Sequence, residues 1–399
     1  MKTKATMAGW KETRLGDVCH IAKKRHNGDL LPYLGLEHIE SGTGQLACAP
    51  APAKVKSQTF YFNETHLLYG RLRPYLNKVF LPDFEGHCTT EIFPIQCGPE
   101  LHRRFLFYWL IDKTTVAAIN RTSTGARMPR ANVNALLDFK FRIPPIHEQK
   151  RIVAILDKAF TAIETATANT KRNIDNVQEL FDIALSRVVH APETGWTENT
   201  LGDLCEFRRG LTYKKSDEVS VSSNAVLRAN NITAETGKIN YDEVRFIRGE
   251  IEIPESKKVV PGCLLVCTAS GSKKHLGKIG LIEDDSDHAF GGFMGLLVPS
   301  ERVSAKYLFY LTRSICYRNF IDDLSDGVNI NNLRWSQLSQ FPILLPPVSH
   351  QEKVTAFLDK LSTKNQYLIS IYEAKMLAFS EFKHTILRQA FAGKLTANA

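Results

Sequence analysis

The stretch Ile143-Pro144-Pro145-Ile146-His147-Glu148-Gln149-Lys150-Arg151-Ile152-Val153-Ala154-Ile155-Leu156-Asp157-Lys158 returns 202 residues later as Leu345-Pro346-Pro347-Val348-Ser349-His350-Gln351-Glu352-Lys353-Val354-Thr355-Ala356-Phe357-Leu358-Asp359-Lys360. No gap interrupts the match. A self-similarity of this length marks a duplicated domain and not a short solenoid unit.

Working outward, Trp10-Lys11-Glu12-Thr13-Arg14-Leu15-Gly16-Asp17-Val18-Cys19 reappears as Trp196-Thr197-Glu198-Asn199-Thr200-Leu201-Gly202-Asp203-Leu204-Cys205, at an offset of 186. Residues 31–39 have a weaker echo in 224–232, at 193. Phe105-Leu106-Phe107-Tyr108-Trp109-Leu110 matches Tyr307-Leu308-Phe309-Tyr310-Leu311-Thr312, and Gly125 matches Gly327, both at 202. The drift from 186 to 202 puts about sixteen extra residues into the second copy, between its first strands and Tyr307. Each copy therefore has a first part of variable length and a second part of fixed length. Surface loops tolerate insertion, whereas a paired helix must keep its register.

The fixed parts read as long helices. After Pro144-Pro145, an apolar stripe runs through Ile152, Leu156, Phe160 with Ala159, Ile163, Ala166, Thr170, Ile174, Val177, Phe181, Ala184 and Val188, stopping before Pro192. The second copy gives Val354, Leu358, Leu361, Asn365, Leu368, Tyr372, Met376, Phe379, Phe382, Ile386 and Ala390. Steps of three and four define one face of a helix. About forty residues at 1.5 Å each make a rod on the order of 60 Å long. Such helices either pack on their own domains or pair with each other. Two equal helices separated by a full domain favour antiparallel pairing as a coiled coil, with Asn365 in the seam as a register-setting residue. The variable parts predict short strands over 30–34, 67–69, 78–81, 226–227, 264–268 and 279–282, and helices over 101–118 and 304–321. The fold class expected is α+β: mixed α/β domains at 1–143 and 192–345, separated by a long helix at 144–191, followed by a second at 346–399, in a pseudo-twofold arrangement.

Composition narrows the chemistry. Among 399 residues, 51 Lys and Arg against 42 Asp and Glu leave a net charge of +9, which suits a polyanion partner. Apolar runs such as 105–111 are too short to cross a bilayer, and Met1 to Trp10 does not resemble a signal peptide, so no membrane partner and a cytoplasmic location are expected. None of the eight cysteines forms a C-x-x-C pair. Cys263 and Cys267 alternate onto one face of a strand and read as small buried hydrophobes, with no metal expected.

Four stretches carry groups suited to DNA. Tyr69-Gly70-Arg71-Leu72-Arg73-Pro74-Tyr75-Leu76-Asn77-Lys78 supplies Arg71, Arg73, Tyr75 and Lys78, although Arg73 has Asp83 and Glu85 as rival partners. Its counterpart at 268–278 supplies Ser270, Ser272, Lys273 and Lys274. Residues 121–132 offer Arg127, Arg130 and Asn132, answered by Asn329, Asn331 and Arg334. Lys23, Lys24 and Arg25 face Arg208, Arg209, Lys214 and Lys215 in the other copy. Lys and Ser donate to phosphate, Arg pairs with guanine and Asn with adenine. Sequence does not separate the phosphate contacts from the base contacts.

Catalytic signatures are incomplete. Ile143 and Leu345 precede the Pro-Pro pairs where an amino-methyltransferase needs Asn or Asp. Gly277-Lys278 lacks the spacing of a phosphate-cradling loop, and His147-Glu148 lacks the second histidine of a zinc protease. Glu148 reads as a first-turn residue favoured by the helix dipole, and Ser349 as a candidate cap where His350 replaces it.

The Trp-x-x-x-x-Leu-Gly-Asp start, the glycine-led loop, the Ile143-to-Ile152 segment and the tail Ile386-Leu387-Arg388-Gln389-Ala390-Phe391-Ala392-Gly393-Lys394-Leu395, duplicated in this order, resemble the specificity subunit of type I restriction–modification systems. The resemblance spans essentially the whole chain. It implies two target recognition domains, each reading one half of a bipartite, asymmetric double-stranded DNA site, and a helix pair that sets the spacing between them. It also implies two modification subunits that carry S-adenosylmethionine and dock on the helices, together with restriction subunits that use ATP and Mg. The chain itself is then expected to be non-catalytic and to hold no cofactor. The positions taken from the apolar stripes to mark these spacer and partner helices are Ile152, Leu156, Ile163, Ile174, Phe181, Val354, Leu358, Leu361, Leu368 and Phe379. The alternatives are a coiled-coil interaction scaffold that binds no DNA, and a self-sufficient methyltransferase.

Overall fold

Asp17 and Asp203 shape how each copy begins. The Asp17 carboxylate accepts from the Arg14 backbone N–H (3.2 Å), and that of Asp203 from Thr200 (2.7 Å), closing one helical turn at Leu15–Val18 and at Leu201–Leu204. Just before each turn, a short strand pairs antiparallel with the residues that precede the Pro-Pro pair. Lys11 lies opposite Ile143, and Thr197 opposite Leu345. The structure, a computed structural model, describes residues 9–26, 28, 30–125, 127–190, 195–234, 236–325 and 332–396, the side chains of His190 and Lys274 aside.

Each copy then builds an antiparallel four-stranded sheet. In the first its order is Cys19–Ile21, Ile92–Cys97, His66–Gly70, Val79–Phe80; in the second it is Cys205–Arg209, Met294–Pro299, Leu264–Cys267, Ile279–Leu281. The third of these strands is buried on both faces, so it reads as a continuous apolar run. Leu67 and Tyr69 join the core beneath the helices, while Leu68 joins a second core under a smaller sheet. In the second copy Leu264 and Val266 face the helices. Cys263, Leu265 and Cys267 face the other way. The two cysteines do share a face, and burial pushes the Cys267 thiol up to about 11. The smaller sheets pair Tyr33–Leu34 with Gly86–Thr89, and Asn224–Leu227 with Ala289–Phe290, both parallel.

Equivalent pairings show where the second copy grew. The offset is 197 at Leu264 against Leu67, 200 at Ile279 against Val79, and 202 at Met294 against Ile92. The extra residues thus entered in several small steps between strands. Two expected helices are each broken in two. Arg103–Ile111 stops because Asp112 accepts from the N–H groups of Thr114 and Thr115, capping Lys113–Arg121. In the second copy Ser314 accepts from Tyr317 and starts Ile315–Ser325 after Ala305–Leu311. A cap side chain outweighs a continuous apolar pattern here.

The central helix runs Ile146–His190 and the C-terminal helix Val348–Phe391. Packing divides the chain into two units, Met1–Lys171 with Glu373–Ala399, and Arg172–Tyr372. In the first unit Ile152, Leu156 and Ile163 share a core with Ile386, Leu387 and Ala390, Phe379 packs against it, and Glu164 meets Lys383 at 3.3 Å. In the second, Phe181, Leu185 and Val189 share a core with Val354 and Leu358, and Leu361 packs against it. There the Asn365 amide donates to the Val177 carbonyl (3.0 Å), a directional bond across the helix pair. Within this unit Asn365 meets Val177, while the earlier Val354 and Leu358 share a core with the later Phe181, Leu185 and Val189, so the helices pair antiparallel there. Ile174 is half-buried. Leu368 and Phe382, expected in the seam, are exposed at 40% and 53%. The C-terminal helix carries large apolar residues on several faces, including Phe357, Tyr367, Ile371 and Leu377, so spacing alone did not single out the packed one. Ser349 is a second correction: it lies inside the helix, after Val348, and does not cap it.

One side chain ties each helix to its domain. Gln149 is fully buried; its amide donates to the carbonyls of Glu100 and Pro144 (both 2.8 Å) and its oxygen accepts from His102 N–H (2.8 Å). Gln351 repeats every bond, with Arg302, Pro346 and Ser304 at 3.0, 2.9 and 2.7 Å. About two turns on, Asp157 accepts from the Tyr108 hydroxyl (2.6 Å) and Arg104, and Asp359 from Tyr310 (2.7 Å) and Lys306. Burial, reinforced by these carboxylates, raises both tyrosine pKa values and keeps the hydroxyls as donors. Removing the amide in Gln149→Ala strands buried polar groups, so urea unfolding should show a loss of about 2–4 kcal/mol. Lys150→Ala, on the neighbouring exposed position, should lie within roughly 0.5 kcal/mol of the parent.

Candidate nucleic-acid interface

Sheet order sends three basic stretches out of the same end of each domain. The strand Ile92–Cys97 lies between Cys19–Ile21 and His66–Gly70 and runs against both. Its beginning therefore adjoins the ends of its neighbours, where the segments 22–26 and 71–78 emerge. A third segment is clasped to the second: Leu72 bridges Arg130, Arg73 N–H donates to Pro129 (2.6 Å), and Ala131 N–H donates to Arg71 (2.8 Å). The second unit repeats the plan. Arg209 lies opposite Gly295, and Cys267 opposite Met294. Leu333 N–H donates to Thr268 (2.7 Å), and Ala269 bridges Asn332. Among the described residues, the stretches that carry the expected groups thus converge within each unit.

Their side chains divide into two sets. In the first unit Lys23, Lys24, Arg25, Arg73, Tyr75 and Arg127 are exposed, with the Lys24 ammonium 4.6 Å from the centre of the Tyr61 ring. Arg73 forms no ion pair with Asp83 or Glu85; Glu85 instead accepts from the Tyr61 hydroxyl (3.0 Å). Its backbone is left-handed (φ 51°), which fixes the start of the short turn Pro74–Leu76. Other residues are committed internally. Arg130 grips Glu91 at 2.8 and 2.9 Å. Arg71 reaches the same carboxylate at 3.8 Å and lies over Phe93. Lys78 donates to the Leu36 carbonyl (2.6 Å). Asn132 caps the helix Val133–Leu137 through Asn134 and Ala135, though its side chain stays at the surface.

In the second unit Arg209, Lys214, Lys215, Ser272, Lys273 and Arg334 lie at the surface. Arg208 pairs with Glu206 (3.0 Å), and Ser270 accepts from Ser272 N–H (3.1 Å). Asn329 and Asn331 lie outside the described residues, as does the Lys274 side chain. Two residues were missed by sequence reasoning. Glu91 organises the arginines of the first unit, and at the matching place in the second unit stands Phe293. Only the Gly291-Gly292 pair that precedes Phe293 signals a turn.

Among the described residues no cluster of His, Cys, Asp and Glu is arranged to hold a metal, and no helix is long and apolar enough to cross a membrane. A family model, the type I restriction modification DNA specificity domain, matches residues 7–174 and again 193–371. The chain belongs to this family. Both matches cover a sheet domain together with part of the long helix that follows it.

The type I restriction enzyme EcoKI specificity subunit of Escherichia coli K12 is 29% identical over 205 residues, 51% of this chain and 44% of that protein. The StySPI specificity subunit of Salmonella potsdam matches to the same extent. The chain thus aligns with less than half the length of either. The MjaVIII specificity subunit of Methanocaldococcus jannaschii is 21% identical over 97% of this chain and 93% of its own. Among solved structures, a chain from work on the assembly and conformational transition of a type I R-M system superposes with a TM-score of 0.81 at 20% identity, over 97% of this chain and 98% of that one. The HsdS subunit of Thermoanaerobacter tengcongensis gives 0.57 at 19%, over 97% of both chains. At these identities the likeness is one of fold.

Proposed function

We propose that this chain is the DNA-reading specificity subunit of a type I restriction–modification complex, with each unit reading one half of a bipartite, asymmetric duplex site. The observation that carries the reading is the repeated convergence of cationic and amide-bearing loops at one end of a sheet. Such an end presents donors to phosphate and to base edges together. Different side chains in the two copies account for unlike half-sites. The central and C-terminal helices, which contribute turns to both units, fix the gap between half-sites. Their exposed apolar residues, such as Leu180, Ile183, Tyr367 and Leu377, are suited to partner subunits. Those partners are two modification subunits that bring S-adenosylmethionine, and restriction subunits that use ATP and Mg. Methyl transfer and cleavage belong to them, and this chain supplies recognition.

Affinity for a random-sequence duplex, measured against salt, separates this from a scaffold that binds no DNA. With about six phosphate contacts the dissociation constant should rise roughly a thousandfold between 50 and 200 mM salt, whereas a scaffold shows no steep dependence. In the assembled complex, replacing residues 1–143 by a homologous reader should change one half of the methylated sequence and leave the other intact. Methylation-aware sequencing reads this directly, and a change in both halves would overturn the modular assignment. Inserting one or two helical turns after Ala166 should lengthen the unread gap with both half-sites preserved; an unaltered gap would remove the spacing role.

A further inference from the structure

Phe293 is exposed at 74%, more than any other aromatic side chain among the described residues, and it stands where the basic loops of the second unit emerge. Its backbone is held tightly. The Phe293 carbonyl accepts from Thr268 N–H (2.9 Å), Ala269 N–H (3.1 Å) and the Thr268 hydroxyl (3.0 Å). The turn that carries it is closed by Met294 N–H donating to Gly291 (2.8 Å). On the other flank Leu211 bridges Gly291, and a side chain at Gly210 would collide with the Gly291 carbonyl. The turn is thus wedged between the 207–215 stretch and the 268–278 loop, with Ser270, Lys273 and Arg334 in the segments that clasp it.

The first unit shows what this place holds when it is closed. There Glu91 takes the same backbone bond, its carbonyl accepting from Arg71 N–H (2.9 Å), and its carboxylate engages Arg130 and Arg71. In the second unit the group at this position has no such use. A large apolar ring kept in water by a rigid turn gains nothing for folding, and an apolar surface set among donors is the pattern that meets a base, through a thymine methyl or a ring face.

We infer that Phe293 makes an apolar contact with a base in the half-site read by the second unit, and so helps to set that half of the specificity. The inference rests on the DNA-reading function proposed above. The full-length parent, Phe293→Ala and Phe293→Tyr are each used to enrich sequences from a library of random duplexes. The parent should enrich a bipartite sequence. Phe293→Ala should lose preference at one or two adjacent base pairs in one half only and bind the parental duplex about tenfold or more weakly. Phe293→Tyr, which keeps the ring, should retain the parental preference. Since the ring is exposed, thermal unfolding of the alanine variant should match the parent. If Phe293→Ala enriches the parental sequence with undiminished affinity, the contact is refuted while the DNA-reading function stands. If the parent enriches no sequence, the inference falls together with that function.

Discussion

A single buried amide fixes where each sheet domain stands on its long helix. Gln149 and Gln351 sit in the first turn of the long helices, where helix N–H groups lack intrahelical partners, yet both point back into the domain. Each satisfies two carbonyls and one N–H of the domain. The tyrosine–aspartate contact about two turns further on adds a second point of attachment, which removes rotation about the first. Two points on a rigid helix define an orientation. The domain, clipped beside this amide by the strand pairs of Lys11 with Ile143 and Thr197 with Leu345, follows from it.

At the end of the sheet where the basic loops emerge, charge is sorted between structure and availability. Arg130 spends its planar fork on Glu91, an arrangement that suits the bidentate geometry of guanidinium and carboxylate and joins two loops with no shared strand. Arg73 and Arg127 lie outside that pairing, at the surface. The second unit has no such acidic hub at the corresponding position. It holds its loops through backbone bonds to the Phe293 carbonyl and through the stacked pair of Phe207 and Trp335 at 4.9 Å. The two copies share a framework and solve the loop-holding problem with different chemistry, which leaves different groups on show.

Much of the fold was legible because it is written twice. The gap-free match from Ile143 to Lys158 required two equivalent long helices, and their antiparallel pairing is present. The seam face was not legible on the C-terminal helix, since exposed Phe357, Tyr367 and Leu377 obey helical spacing as well as the packed residues do. Helix breaks at Asp112 and Ser314 were hidden inside apolar runs, because a cap acts through one side chain and leaves periodicity intact. For the basic loops, composition picked out segments that the strand order brings together. It did not distinguish Arg130 from Arg73, as their difference depends on Glu91, about forty residues from Arg130 in sequence and adjacent only through the strand order. Phe293 escaped for the same reason: an isolated aromatic next to glycines gives no sign of exposure until the neighbouring strands are placed.

The composition of the first unit has a consequence for biosynthesis. Ile386, Leu387 and Ala390 belong to its core and Phe391 packs against it, although the whole second unit is encoded between them and the rest of that core. During translation the second unit, contiguous in the chain, has all its residues outside the ribosome first. The first must wait with Ile152, Leu156 and Ile163 lacking their cover until the last segment arrives. The amino-terminal unit therefore cannot complete its core until a segment synthesised after the whole second unit has joined it.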